Sequence, residues 1–101
     1  MVQIQRMIVN TVQAPQLIGA YSQAIRIKVD ELLFVAGQVA LDANDNLVGP
    51  GDVVAQIRQA FDNIDQILAS VGASFSNVVE FTTYLVGTKS IQLFIQARTE
   101  L

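Results

Sequence analysis

Any chemistry in this chain rests on hydroxyls, amides and carboxylates, because its 101 residues include neither histidine nor cysteine. That removes the commonest general base, the commonest zinc ligand and the thiol nucleophile. Asp42, Asn44 and Asn46 have the spacing of the first ligands of a calcium loop. Leu47, however, stands where the loop glycine belongs and Val53 where a bidentate glutamate belongs. The trio reads as a turn built on Asx side chains, with no metal site. Gly49-Pro50-Gly51 lacks the glycine spacing and the lysine of a phosphate loop. Glu80, in an apolar and threonine-rich run, fits a proton shuttle less well than a carboxylate that faces solvent or pairs with a basic neighbour. Two further places could line a pocket. Tyr21, followed by Ser22 in a loop, offers an aromatic wall with a hydroxyl. Gly37, between Ala36 and Gln38 in an apolar run, admits a ligand or a second backbone at close range. The residues alone leave both open, since Tyr21 also fits a loop anchor and Gly37 a bulge.

Bulk properties exclude several partners. The length fits one domain spanning residues 1–101. Hydrophobic residues make up 51% and charged residues 15%, so a small sphere cannot hide all its apolar surface and other subunits are expected to cover some of it. The net charge is −3, and Arg6, Arg26, Lys28, Arg58, Lys89 and Arg98 are scattered. No cluster tracks a phosphate backbone, so nucleic acid is not an expected partner. No apolar run approaches a membrane span, and Gln3, Gln5 and Arg6 spoil the start as a signal peptide. With cysteine absent, the expectation is a cytoplasmic protein.

The elements that must position these residues follow from periodicity. Residues 2–9 and 24–29 alternate as half-buried strands, and Asp30-Glu31 predicts a hairpin return. Residues 32–40 are apolar on both faces and read as a central strand. Residues 52–72 form the longest amphipathic helix. Val54, Ile57, Phe61, Ile64, Leu68 and Val71 make its stripe, Gln56, Gln59, Asp62, Asn63 and Gln66 its wet side, Asp52 its cap and Gly72 its stop. Residues 78–86 give another strand. A second helix begins near Ile91 behind Thr88 or Ser90, with Ile91, Phe94, Ile95 and Leu101 as its apolar positions. The order β-β-β-α-β-α predicts an α+β two-layer sandwich, a mixed sheet with helices on one face.

Several of these stretches together resemble the Rid family, the YjgF-type reactive imine/enamine deaminases. They are Ala14-Pro15, the run from Ile18 to Ala24, the run from Leu33 to Gln38, Gln59-Ala60-Phe61-Asp62-Asn63-Ile64, and the strand carrying Thr82-Thr83. The resemblance implies a chorismate-mutase-like fold, a homotrimer with ligand clefts between subunits, and hydrolysis of 2-imino or enamine acids to 2-oxo acids and ammonia. It implies no metal and no organic cofactor. Tyr21 matches the family's pocket tyrosine and Gly37 its pocket-lining glycine. Ala36 replaces the usual serine. The asparagine of the second helix should fall near Ile95 or Gln96, where none stands.

The arginine that grips the substrate carboxylate and the glutamate that serves the water lie, in the family, on strands after the second helix. Arg98 and Glu100 are not their equivalents, so the catalytic residues stay unassigned and the C-terminal strands are expected to be missing from these 101 residues. The favoured reading is a Rid-family protein whose parent activity is imine deamination, with weak or no turnover expected of this short chain. The alternative is a non-catalytic trimer of the same fold that binds a small metabolite.

Overall fold

A computed structural model of the chain describes residues 5–15 and 23–99. Its longest element, α1 (Val53–Ser70), forms where the apolar stripe predicts it. Asp52 is extended, and its carboxylate accepts the Ala55 N–H at 3.1 Å, which satisfies one of the free donors of the first turn. At the other end Gly72 takes the left-handed conformation, φ 75°. This lets Gly72 N–H reach the Ala69 carbonyl and Ala73 N–H the Leu68 carbonyl, a Schellman closure. Ile57 and Leu68 are buried, whereas Val54, Phe61 and Ile64 are half-buried. Val71 lies past the last turn as the C-cap and is exposed, so it drops out of the stripe.

The second helix, α2 (Lys89–Thr99), starts two residues earlier than its apolar pattern predicts and packs on α1. Its inner face is Ser90, Phe94 and Ala97, at spacings of four and three. Ile91 and Ile95 are exposed, and Leu101 lies outside the described residues. Ser90 does not act as a cap. It is buried, and its hydroxyl donates to the Val86 carbonyl at 2.8 Å. Small residues thus allow the helices to approach, and the seam between them is filled by phenylalanines. Phe61 has ring centroids of Phe81 at 5.4 Å, Phe75 at 6.1 Å and Phe94 at 6.3 Å, distances that suit favourable aromatic pairs. Phe75 belongs to a single 3-10 turn (Phe75–Asn77) that follows α1.

The sheet is smaller than the alternation predicts. Two strands form among the described residues, β1 (Gln5–Val9) and β2 (Ala24–Lys28), paired antiparallel with Met7 opposite Arg26. β2 therefore returns against β1 and makes no hairpin at Asp30-Glu31. Residues 32–40 and 78–86, read as strands from their pattern, have no ladder. Several of their large side chains are uncovered among the described residues: Phe34 is 88% exposed, Tyr84 92% and Val86 95%. Strand preference reflects packing against neighbours, and neither segment pairs with a strand among the described residues. The α+β class is as read. The crossover and the mixed sheet are not formed among the described residues of the single chain.

Candidate functional site

The three residues picked out for a pocket have different fates. Tyr21 lies outside the described residues. Ala36 and Gly37 sit in the unpaired stretch 31–39, and both are exposed. The Ala36 carbonyl accepts the Gln38 amide at 3.2 Å. A Cβ built on Gly37 would meet nothing within 4 Å, and its φ is not in the left-handed range. Nothing among the described residues requires glycine there, and its backbone is open on that side. The bulge alternative finds no support, because a bulge needs a paired strand.

What holds this open stretch is the face of α1 read as its wet side. Asn63 donates through Nδ2 to the Val39 carbonyl at 3.1 Å and the Leu41 carbonyl at 2.8 Å. Gln59 orients that amide by donating to Asn63 Oδ1 at 2.8 Å, and Gln56 donates to the Gly49 carbonyl at 2.9 Å. All three are half-buried, which corrects the expectation that they stay in water. Their task is to tie residues 39–49 to the helix, and Ala40 within that segment is buried. The sequence signal was available: amides at i and i+4 on one helix face can clasp a neighbouring backbone. Gln23 was missed for a similar reason. Its side-chain oxygen accepts Thr11 N–H at 2.6 Å, its Nε2 donates to the Thr11 and Pro15 carbonyls at 3.0 Å, and its own N–H donates to Asn10 Oδ1. One side chain thus ties down the loop that leads toward Tyr21.

The calcium-like trio is the Asx turn that its sequence favours. One carboxylate oxygen of Asp42 accepts Asn44 N–H at 2.9 Å and Asn46 N–H at 3.0 Å, and Asp45 takes φ 62° at the tip. The backbone N–H of Asn46, then that of Asn44, holds the Asp42 pKa below its ordinary 3.8. Among the described residues no group of three metal-ligating side chains comes together. Glu80 is exposed, as favoured for it. Arg6 has its guanidinium committed to the Ser76 and Val78 carbonyls at 3.0 and 2.9 Å, and Arg98 stands 5.7 Å over the Phe94 ring. A shallow groove of about 440 Å³ runs between residues 83–88 and the start of α2, lined by Thr83, Leu85, Gly87, Thr88 and Ile91. Neither Ala36 nor Gly37 lines it. No helix among the described residues is long and apolar enough to cross a membrane.

Comparison with known proteins bears on the whole arrangement. A family model described as Endoribonuclease L-PSP matches residues 11–101. The chain is 42% identical over 82 residues to the 2-iminobutanoate/2-iminopropanoate deaminase of Mus musculus, covering 81% of this chain and 59% of that protein. It is 42% identical over 78 residues to a RutC family protein of Pyrococcus abyssi, covering 77% of this chain and 60% of that one. A crystal structure of YyfB from Yersinia pestis, titled a protein of unknown function of the conserved Rid family, superposes with a TM-score of 0.67 at 27% identity. That match covers 91% of this chain and 72% of the other. The chain thus spans roughly three fifths of the length of these curated relatives.

Proposed function

This chain belongs to the Rid family, the YjgF-type proteins that its motifs resemble, and from that premise we propose that it acts in the hydrolysis of 2-imino and enamine acids to 2-oxo acids and ammonia. The single observation that carries the reading is its 42% identity with a named 2-iminobutanoate/2-iminopropanoate deaminase across the stretch that includes the candidate pocket residues. The chemistry requires a polar cradle for a carboxylate, a wall for the side chain and a water placed against the C=N carbon. Tyr21 is the wall in this proposal. The open backbone at Ala36 and Gly37 is where the substrate's polar end approaches, and the Cβ-free surface at Gly37 supports that role. Ala36 brings no hydroxyl, so the backbone alone serves there.

The cleft lies between subunits of a homotrimer in this reading, and the exposure of Phe34, Ala36 and Gly37 supports a second copy facing them. The site of action is the cytoplasm, which the cysteine-free composition supports. The word endoribonuclease in the family description finds no counterpart in the charge pattern, which is acidic overall with dispersed cations.

The test uses the chain and Gly37→Val side by side. Each is given 2-iminobutanoate generated in situ, with ammonia release followed, and is also titrated with 2-oxobutanoate while thermal stability is monitored. Ammonia release above the uncatalysed rate that falls at least tenfold in Gly37→Val supports the deaminase. Stabilisation by the oxo acid with no ammonia release supports a metabolite-binding module instead, a second reading favoured by the alanine at position 36. No response to either compound would reject the pocket.

A further inference from the structure

We infer that Asn63, oriented by Gln59, is a positioning residue for the proposed reaction: from α1 it sets the backbone of Ala36 and Gly37 where the substrate's carboxylate approaches. The inference rests on the proposed pocket and adds the device that fixes its geometry.

The backbone around Gly37 does little to hold itself. Residues 31–39 have no ladder among the described residues, and Ala36 and Gly37 are exposed. A glycine in open space keeps wide φ/ψ freedom, whereas backbone that grips an anion has to be fixed before the anion arrives. Two side-chain amides supply that hold. On one side of Gly37, Gln38 Nε2 donates to the Ala36 carbonyl at 3.2 Å. On the other, Asn63 Nδ2 donates to the Val39 carbonyl at 3.1 Å and to the Leu41 carbonyl at 2.8 Å. Two residues of chain reach at most about 7 Å, so Gly37 stays close to the anchor at Val39.

This anchor demands an amide. Leu41 N–H donates to the Val39 carbonyl at 2.8 Å, closing a three-residue turn. The carbonyl oxygens of Val39 and Leu41 then converge on one nitrogen, and a donor between them offsets their repulsion. An asparagine side chain carries two N–H donors on one nitrogen beside an accepting oxygen. Here the nitrogen serves both carbonyls, and the oxygen accepts Gln59 Nε2 at 2.8 Å. A half-buried group with both polar atoms engaged is held in one orientation. Its base is stiff, because α1 is capped at both ends. The remainder of the turn has its own supports: Ala40 is buried and its carbonyl accepts Val48 N–H at 2.8 Å. Loss of Asn63 is therefore felt on the side that leads to Gly37.

The test compares the parent chain with Asn63→Asp and Leu68→Ala. Asn63→Asp keeps the shape, removes both donors and sets a carboxylate against two carbonyls. Leu68→Ala weakens the same helix away from the clasp and so controls for stability alone. Each is titrated with 2-oxobutanoate at one chain concentration, at a temperature where the amides of α1 stay protected, with the Gly37 amide followed by NMR. A displacement on the order of 1 Å at a binding group can cost about 100-fold in rate. Asn63→Asp is expected to move the Gly37 signal before any ligand is added and to weaken 2-oxobutanoate binding at least tenfold. Leu68→Ala is expected to keep the parent's Gly37 signal and affinity. An unmoved Gly37 signal or parental affinity in Asn63→Asp would overturn the inference and leave the pocket standing. Equal losses in both variants would overturn it too, since general stability would then explain them. A parent chain that does not respond to 2-oxobutanoate would overturn inference and pocket together. Should Asn63→Asp not fold, Gln59→Met decides. It frees the Asn63 amide to turn and is expected to weaken binding about threefold, and unchanged binding would overturn the inference.

Discussion

Two parts of this small chain are both rich in apolar residues and have different surroundings. Around α1, residues 39–77 are tied together by caps, side-chain hydrogen bonds and ring contacts. The helix is capped at both ends, its amides clasp the preceding loop, and Phe61 sits among three other phenylalanine rings. The stretches 31–38 and 79–86 are richer in strand-forming residues yet stay mostly exposed, with Val35 and Leu85 half-buried and Phe81 touching the phenylalanine cluster. A helix satisfies its own backbone and needs a partner only for its stripe, whereas a strand depends on a neighbour for every hydrogen bond. The difference therefore separates what the described residues close among themselves from what they leave open.

The sharpest way to break this contrast is to truncate one large apolar side chain from each part. Leu68→Ala, at a position 5% exposed, is expected to destabilise the chain by about 2–4 kcal/mol in urea unfolding. Phe34→Ala in the dilute chain is expected to cost less than about 0.5 kcal/mol. Equal costs would mean that Phe34 is packed in solution. The glycines give the next largest difference. Gly49 has φ 67°, and a Cβ there would come within 2.7 Å of Ala55 Cβ, so Gly49→Ala is expected to cost about 2–3 kcal/mol. Gly37→Ala has open space and an ordinary φ, and its thermal midpoint in the dilute chain should match that of the parent.

Asn63→Ala tests the clasp that joins the two parts. It removes three hydrogen bonds, two donated to the Val39 and Leu41 carbonyls and one accepted from Gln59, an expected loss of about 2–3 kcal/mol. Exchange at residues 39–41 should rise with it. The smallest effect is acid dependence of the exposed Asp42 turn. Because the folded pKa is lowered, the carboxylate favours the fold above pH 3.8, and that contribution disappears as pH falls through the folded value. In an NMR titration the Asn44 and Asn46 amide shifts should move together with a midpoint below 3.8, and a midpoint at or above 3.8 would break the assignment.

Legibility follows the same division. The boundaries of α1 could be read because Asp52, Gly72 and a stripe at spacings of three and four are local signals. The Asx turn at Asp42 was equally local. The inner face of α2 was misread, because Ile91 and Ile95 outrank Ser90 and Ala97 in hydrophobicity while the close approach of α1 favours the smaller pair. Gln59 and Asn63 looked like solvent-facing amides, and only the placement of the Val39 and Leu41 carbonyls gives them partners. Tyr21 stays a sequence-based assignment, since it lies outside the described residues.

The amino-acid sequence by itself determined the helix that anchors the chain, the α+β class, the family and the lack of histidine and thiol chemistry. These are carried by periodicity, caps, composition and a set of short motifs that act within a few residues. Only the tertiary structure decided which strands pair, which amides work as clasps and that a Cβ at Gly37 would meet nothing among the described residues. Those outcomes depend on what stands opposite a residue in space, and a pattern along one chain does not specify its neighbours.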